Sequence, residues 1–158
     1  MKIKPSNLLW IAVATIIVIG LFPIKFITVT TEQGECLLHG DRFALRWRHS
    51  VEHQLWYEHY QRQGDNLHLY QTWLQTFGAG TPSQGDFLSD VPQGYIGYKQ
   101  HIDLPEINWT VSRRMEGTIF VGDWQFPVYQ TVSDYSVVKI KPARSILASF
   151  LLRKYCND

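Results

Sequence analysis

The sequence predicts a small, mainly β protein, either an antiparallel β-sandwich or a partly open barrel, with one transmembrane helix at its N-terminus. Three observations predict this fold class. Residues 8–24 form an uncharged run that follows Lys2 and Lys4. Short β-branched and aromatic runs, such as FITVTT at 26–31, recur between turn residues, which is typical of strands. Apolar and polar residues alternate over 42–51, the period of a half-buried strand.

The uncharged run predicts a membrane anchor that is not removed. Its 17 residues would make a helix of about 25 Å at ~1.5 Å per residue, the short end of the spanning range. A cleaved signal peptide has a shorter apolar region of about 7–15 residues and a small-residue cleavage site. Residues 23–27 are large or basic instead. We therefore predict an anchor at 1–25 and an extracytoplasmic β-rich domain at 26–158.

Charge sets the expected orientation and excludes one class of partner. Lys2, Lys4 and the terminal amine outweigh Lys25, which places the N-terminus in the cytoplasm. After Lys25 the chain carries 12 basic and 14 acidic residues. A mildly acidic domain without a basic stripe argues against binding of nucleic acid.

The two cysteines, Cys36 and Cys156, both lie in the part expected outside. An oxidising compartment favours a disulfide between them. Two buried free thiols are the alternative, because the sequence does not show whether the pair is close in space.

The strand pattern continues along the exported part. In the run at 42–51 one face carries Phe43, Leu45, Trp47, His49 and Val51. The best hairpin pairs 56–63 with 67–75 around Gly64-Asp65-Asn66. Residues 87–105 are predicted to be irregular. Further strands are expected at 109–115, 118–121, 127–131 and 136–140.

No segment predicts an enzyme, a metal or a cofactor. Five of the six histidines fall at His39, His49, His53, His59 and His68, but their spacing fits no zinc motif. His49 and Ser50 are neighbours on a strand and point to opposite faces, so they do not form a nucleophile and base. The loop at 77–82 lacks the Lys-Ser/Thr pair of a P-loop.

Two arginine pairs could instead hold an anionic ligand, Arg46 with Arg48 and Arg113 with Arg114. The alternative is that they pair with carboxylates, and Glu58 is one candidate partner of Arg46 or Arg48 on a neighbouring strand.

Three ordered segments then make a recognisable series. They are RHSVE at 48–52, W-x-E-x-Y at 56–60 and FGAG-x-P at 77–82. The series resembles a bacterial family of unknown function whose genes often lie beside TRAP transporters of the TAXI type. The likeness covers about residues 36–82.

The resemblance implies an accessory role in the transport of small organic anions. The expected protein is a single-pass component of the bacterial inner membrane with its main domain in the periplasm. Its expected partners are the lipid bilayer, an integral membrane transporter subunit and the periplasmic solute-binding protein. The alternative is a module that binds or senses a small organic anion. The candidate ligand or partner residues are Arg48, His49, Ser50, Glu52, Trp56, Glu58, Gly78 and Gly80.

Overall fold

A computed structural model describes residues 5–78, 81 and 85–156. Their two α-helices are α1 (Pro5–Gly20) and α2 (Leu147–Phe150), and 3-10 turns lie at Arg113–Met115 and Val128–Gln130. The strands are β1 (Pro23–Thr31), β2 (Gly34–Leu38), β3 (Arg42–Arg48), β4 (Leu55–Gln63), β5 (Asn66–Leu74), β6 (Phe87–Leu88), β7 (Ile96–Leu104), β8 (Ile107–Val111), β9 (Thr118–Val121), β10 (Trp124–Phe126) and β11 (Ser136–Ile146).

These strands form two antiparallel sheets that do not close on each other, as in a β-sandwich. Within the described residues the small sheet has the order β2-β1-β11-β8, and the large sheet has the order β10-β9-β3-β4-β5-β7-β6. The prediction of a mainly β antiparallel fold is confirmed. The core lies between the sheets because each strand turns alternate side chains towards it.

Two clusters of buried side chains make up this core. The larger cluster joins both sheets and contains Ile27, Val29, Leu38, Phe43, Leu45, Tyr60, Leu67, Leu69, Val111, Ile119, Val128, Val132, Val138 and Ile140. The smaller cluster lies on the large sheet and contains Trp56, Leu74 and Tyr98. We call the side of the large sheet that carries these residues its core face and the opposite side its outer face.

The N-terminal helix is shorter than the uncharged run. It ends at Gly20, and Pro23 already pairs with Ile146 as the first residue of β1. Proline lacks the N–H that a helix needs and disfavours helical geometry in the residue before it. The helical part of the run therefore ends before residue 24. None of the helices in the described part of the chain has both the length and the apolar character needed to cross a membrane.

The predicted hairpin is confirmed. Strands β4 and β5 pair from Gln63 with Asn66 to Trp56 with Leu74, around a turn at Gly64 and Asp65. Gly64 has a φ of 63°, a conformation that glycine adopts without a steric penalty.

Two expectations for the later chain are wrong. Residues 87–105 contain the nine-residue strand β7, and the predicted strand at 127–131 is a 3-10 turn. Gly97 does not mark a turn: it lies inside β7, where a side chain would overlap Val91 and glycine is therefore required. At the 3-10 turn, Pro127 supplies no backbone donor for a ladder.

Candidate functional site

The segment after β3 is a tight turn rather than a continued strand. Strand β3 ends at Arg48, and the amide of His49 donates to the carbonyl of Gln54 at 2.8 Å. His53 adopts a φ of 55° and donates from its amide to the carbonyl of His49 at 3.0 Å. The predicted half-buried strand over 42–51 is therefore wrong at its end: β3 stops at Arg48, and the Val51 side chain is 67% exposed.

This turn brings together three of the predicted residues. The His49 ring stacks on the Trp56 indole with centroids 4.7 Å apart. The Nδ1 atom of His49 contacts the Glu52 carboxylate, and both side chains are largely buried. A methyl group on Gly78 would overlap that carboxylate, so the loop after β5 packs directly on Glu52. We call His49, Glu52, Trp56 and Gly78 the motif cluster.

Two hydrogen bonds with Thr81 hold Gly78 in its loop. Its amide donates to the Thr81 hydroxyl at 2.8 Å, and the Thr81 amide donates to the Gly78 carbonyl at 3.1 Å. The predicted residue Gly80 lies outside the described residues. The described part of the FGAG segment therefore closes over the buried Glu52 side chain.

Arg48 is held by protein groups. Its Nε and Nη2 atoms donate to the two carboxylate oxygens of Glu116 at 3.3 and 3.1 Å, and Nη1 donates to the His53 carbonyl at 3.0 Å. The expected pairing with Glu58 is wrong, because Glu58 is on the core face and Arg48 is on the outer face. Half-exposed ion pairs contribute only about 0–1 kcal/mol, so the bidentate pair mainly orients the turn.

Glu58 lies on the core face between the two clusters. It is opposite Leu45 on one side and Thr72 on the other. The Tyr60 hydroxyl donates to the Glu58 carboxylate at 2.6 Å. Burial raises the pKa of Glu58, although the hydrogen bond from Tyr60 acts in the opposite direction. Burial, followed by the neighbouring Glu58 charge, raises the pKa of Tyr60.

We expect Glu58→Gln to stabilise the fold increasingly as pH rises. A raised folded-state pKa means that the wild type loses stability as pH rises from the unfolded value of about 4.5 through the folded value. Glutamine still accepts from Tyr60 and carries no charge. Urea denaturation at pH 4 and pH 8 measures the difference.

The matched variant Glu58→Ala should lose about 1–3 kcal/mol, because the Tyr60 hydroxyl is left without its acceptor. Equal stability of the wild type and Glu58→Gln at both pH values would contradict a raised pKa of Glu58.

Ser50 is exposed at the rim of a cavity of ≈ 280 Å³ beside the motif cluster. The lining residues come from the end of β3 and the turn after it, from the segment after β8 and from the residue before β11: Arg48, His49, Ser50, His53, Ser112, Arg114, Met115 and Tyr135. The structure thus places Arg48, His49 and Ser50 together and places Glu58 apart from them.

The motif cluster lies at the end of the large sheet remote from α1. Lys25, near the start of β1, forms an ion pair of 3.5 Å with Asp65 in the β4–β5 turn. That turn and α1 therefore share one end of the domain. Strand β4 runs from the motif end to this turn over nine residues, or about 30 Å.

The outer face of the large sheet carries a group of aromatic residues, of which the sequence analysis named only His59. Tyr57 lies 5.9 Å from both the Trp73 and the Phe120 rings, and His59 lies 4.0 Å from Trp73. Burial lowers the pKa of His59 to about 4, so this imidazole is neutral at physiological pH. The alternation of side chains along β4 and β5 is the sequence signal that could have placed these aromatic residues on one face.

The cysteines form the predicted disulfide. Cys36 in β2 and Cys156 in the tail have Cα atoms 4.9 Å apart. Leu37, the next residue of β2, donates from its amide to the Lys154 carbonyl at 2.9 Å, and its carbonyl accepts from the Cys156 amide at 3.0 Å. The tail is thus attached to β2 by a covalent bond and by backbone hydrogen bonds.

The histidines are dispersed. His39 stacks on Tyr155, and His68 contacts Asp103 at 2.7 Å, far from the motif cluster along the chain. In the described ranges no three His, Cys, Asp or Glu side chains are grouped as metal ligands.

Comparison with known proteins places most of the large sheet and the whole motif cluster in one family. A domain of unknown function, DUF1850, matches residues 43–128. The match spans β3 to β10 and includes neither cysteine. No curated protein and no solved structure matches the chain. Because the family model covers more than half of its length, the chain belongs to the DUF1850 family of domains of unknown function.

Proposed function

We propose that this chain is a membrane-anchored periplasmic accessory subunit of a TRAP transporter of the TAXI type. In this proposal it acts by contact with the integral membrane transporter subunit, and it performs no chemistry. The class of transporter comes from the resemblance of the RHSVE, W-x-E-x-Y and FGAG-x-P segments. The anchoring comes from the surface of α1.

The observation that carries the proposal is an apolar helix with an exposed surface. Eight large apolar side chains of α1 are each at least 38% exposed: Leu9, Trp10, Ile11, Val13, Ile16, Ile17, Val18 and Ile19. A helix that is apolar all round needs lipid or other helices as its surroundings. Covering a large apolar side chain gains about 1.5–3 kcal/mol, so these residues together favour burial by on the order of 10 kcal/mol.

The C-terminal tail adds apolar surface at the same end. The amide of Leu147, which opens α2, donates to the Phe22 carbonyl at 2.9 Å, so α2 lies against the end of α1. Leu151 and Leu152 follow and are 70% and 86% exposed. Arg153 is held by Glu35, which fixes the two leucines beside the helix. This surface supports a domain that rests on the bilayer next to its anchor.

This placement divides the expected partners between the two ends of the domain. A translocator would contact the end that carries α1 and the tail. The motif cluster, about 30 Å away along β4, is within reach of a periplasmic solute-binding protein. Tyrosine and tryptophan are enriched at interface hot spots, but Trp56, Tyr60 and Tyr98 are buried in the core and present little surface to a partner.

We expect the full chain to remain in the membrane pellet after a carbonate wash and to retain Met1 or Lys2 as its N-terminus. The double substitution Val13→Lys with Ile17→Lys should release it, because each lysine would have to move a charged ammonium group from water into lipid.

The matched control introduces lysines at Ile102 and Val137, which are exposed on the β domain. This variant should stay in the pellet. Release of the wild type by carbonate, or a mature N-terminus within residues 26–35, would contradict the anchor.

A further inference from the structure

A second concave site lies on the outer face of the large sheet, outside the motif cluster. It is a cavity of ≈ 260 Å³, which we call the outer-face cavity. Its lining includes side chains from four strands: Arg42, Ala44, Tyr57, His59, Tyr70 and Phe120. The small sheet packs on the opposite, core face, so no described strand of that sheet covers this cavity.

A β-bulge builds one wall of the cavity. The pairing of β5 with both of its neighbours shifts register beside Tyr70, which has no paired partner in either ladder. Bulges re-aim side chains. Here Tyr70 lies with its ring 6.1 Å from the His59 ring, while Tyr57 and Phe120 lie 5.9 Å apart. The wall is therefore aromatic.

The charge available at this cavity is positive. The guanidinium of Arg42 makes no hydrogen bond or ion pair with a described residue. The adjacent carboxylate of Asp41 is taken by Arg62, at 2.6 and 3.0 Å. Arg46 does not line the cavity, but its guanidinium lies over the ring of the lining residue Phe120, at 4.9 Å from the ring centroid. The lining itself contains no carboxylate.

Polar atoms on the same face lack partners. Arg46 Nε, His59 Nε2 and Trp73 Nε1 are buried, and none of them has a hydrogen-bond partner among the described residues. Of these three residues, His59 lines the outer-face cavity. An unsatisfied buried polar group costs about 1–3 kcal/mol, so a polar ligand group that reaches His59 Nε2 would relieve that cost.

We propose that the outer-face cavity binds a small carboxylate that carries one aromatic ring. The Arg42 guanidinium takes the carboxylate, and the ring packs against Tyr57, Tyr70 and Phe120. The cavity is smaller than the roughly 300–1,000 Å³ of sites for drug-sized ligands, which limits the ligand to about one ring. Arg48, one of the arginines considered from the sequence as an anion binder, is paired with Glu116.

This site is independent of the membrane partner and is tested with the full chain alone. Calorimetric titration in lipid nanodiscs uses benzoate, its uncharged analogue benzamide and acetate as probes, with empty nanodiscs as the blank. We expect benzoate to bind at least ten times more tightly than either of the other probes. The variant Arg42→Gln should weaken benzoate binding at least tenfold.

The matched control is Arg114→Gln, which removes an arginine from the cavity at the motif end. It should leave the benzoate affinity unchanged, and a thermal scan confirms that both variants are folded. No benzoate binding up to 20 mM, equal affinity for benzamide, or an equal effect of the two arginine variants would each overturn the proposal. No transporter is present in this titration. A negative result would therefore not contradict the proposed accessory role, which is tested separately by co-purification.

Discussion

Replacing Cys36 and Cys156 with alanine is expected to lower the free energy of unfolding by about 4–5 kcal/mol. The disulfide joins residues 120 positions apart, so it removes much of the chain entropy of the unfolded state. It also holds the tail against β2, where Leu37 bonds both Lys154 and Cys156. Chemical denaturation of the full chain in detergent measures the loss.

A reducing agent provides the control for this prediction. It should bring the wild type to the stability of the double alanine variant and leave that variant unchanged. Alkylation without reductant should label neither cysteine in the wild type. Two alkylated thiols in freshly prepared protein, or identical denaturation curves for the wild type and the variant, would contradict a disulfide that stabilises the fold.

The substitution Gly78→Ala is expected to destabilise the protein by about 1–3 kcal/mol, the range for overpacking a filled site. The added methyl group overlaps the Glu52 carboxylate, which contacts the buried His49 ring. The carboxylate must therefore leave His49, or the loop must move. The change in midpoint of urea denaturation gives the loss.

A double-mutant cycle assigns this loss to its cause. With Glu52→Ala already present, Gly78→Ala should cost less than about 0.5 kcal/mol, because the overlapping side chain has been removed. The same cost in both backgrounds would mean that the backbone at residue 78, and not its packing on Glu52, requires glycine.

Local patterns predicted the parts of the fold that depend on local chemistry. Alternation over 42–48 and the turn at Gly64 and Asp65 gave β3 and the β4–β5 hairpin, because side-chain period and turn geometry are properties of a short segment. The end of β3 was missed. No glycine or proline marks the turn after Arg48, and the positive φ falls on His53.

The candidate site was predictable only in part, because its contacts join distant residues. His49 and Trp56 share the core face by parity, but Gly78 reaches Glu52 only after β4 and β5 have paired. The partner of Arg48 is Glu116, 68 residues away. In contrast, Glu58 and Tyr60 are two residues apart on one strand face, and parity alone could have suggested their hydrogen bond.

The outer-face cavity illustrates the same limit. Its position depends on a bulge at Tyr70 and on the pairing of β9 with β3, which brings Phe120 opposite Ala44. Neither feature has a local sequence signal, since bulges interrupt the period that strand prediction uses.

The most direct test of the proposed accessory role is purification of the full chain from its own membranes. The tagged protein is expressed at native level with the neighbouring genes present, and it is extracted in mild detergents and in native nanodiscs. The account predicts that the integral membrane transporter subunit is recovered with it in stoichiometric amounts, because an anchored domain has a high effective concentration for partners in the same membrane. Recovery of the chain alone under all of these conditions would contradict the account.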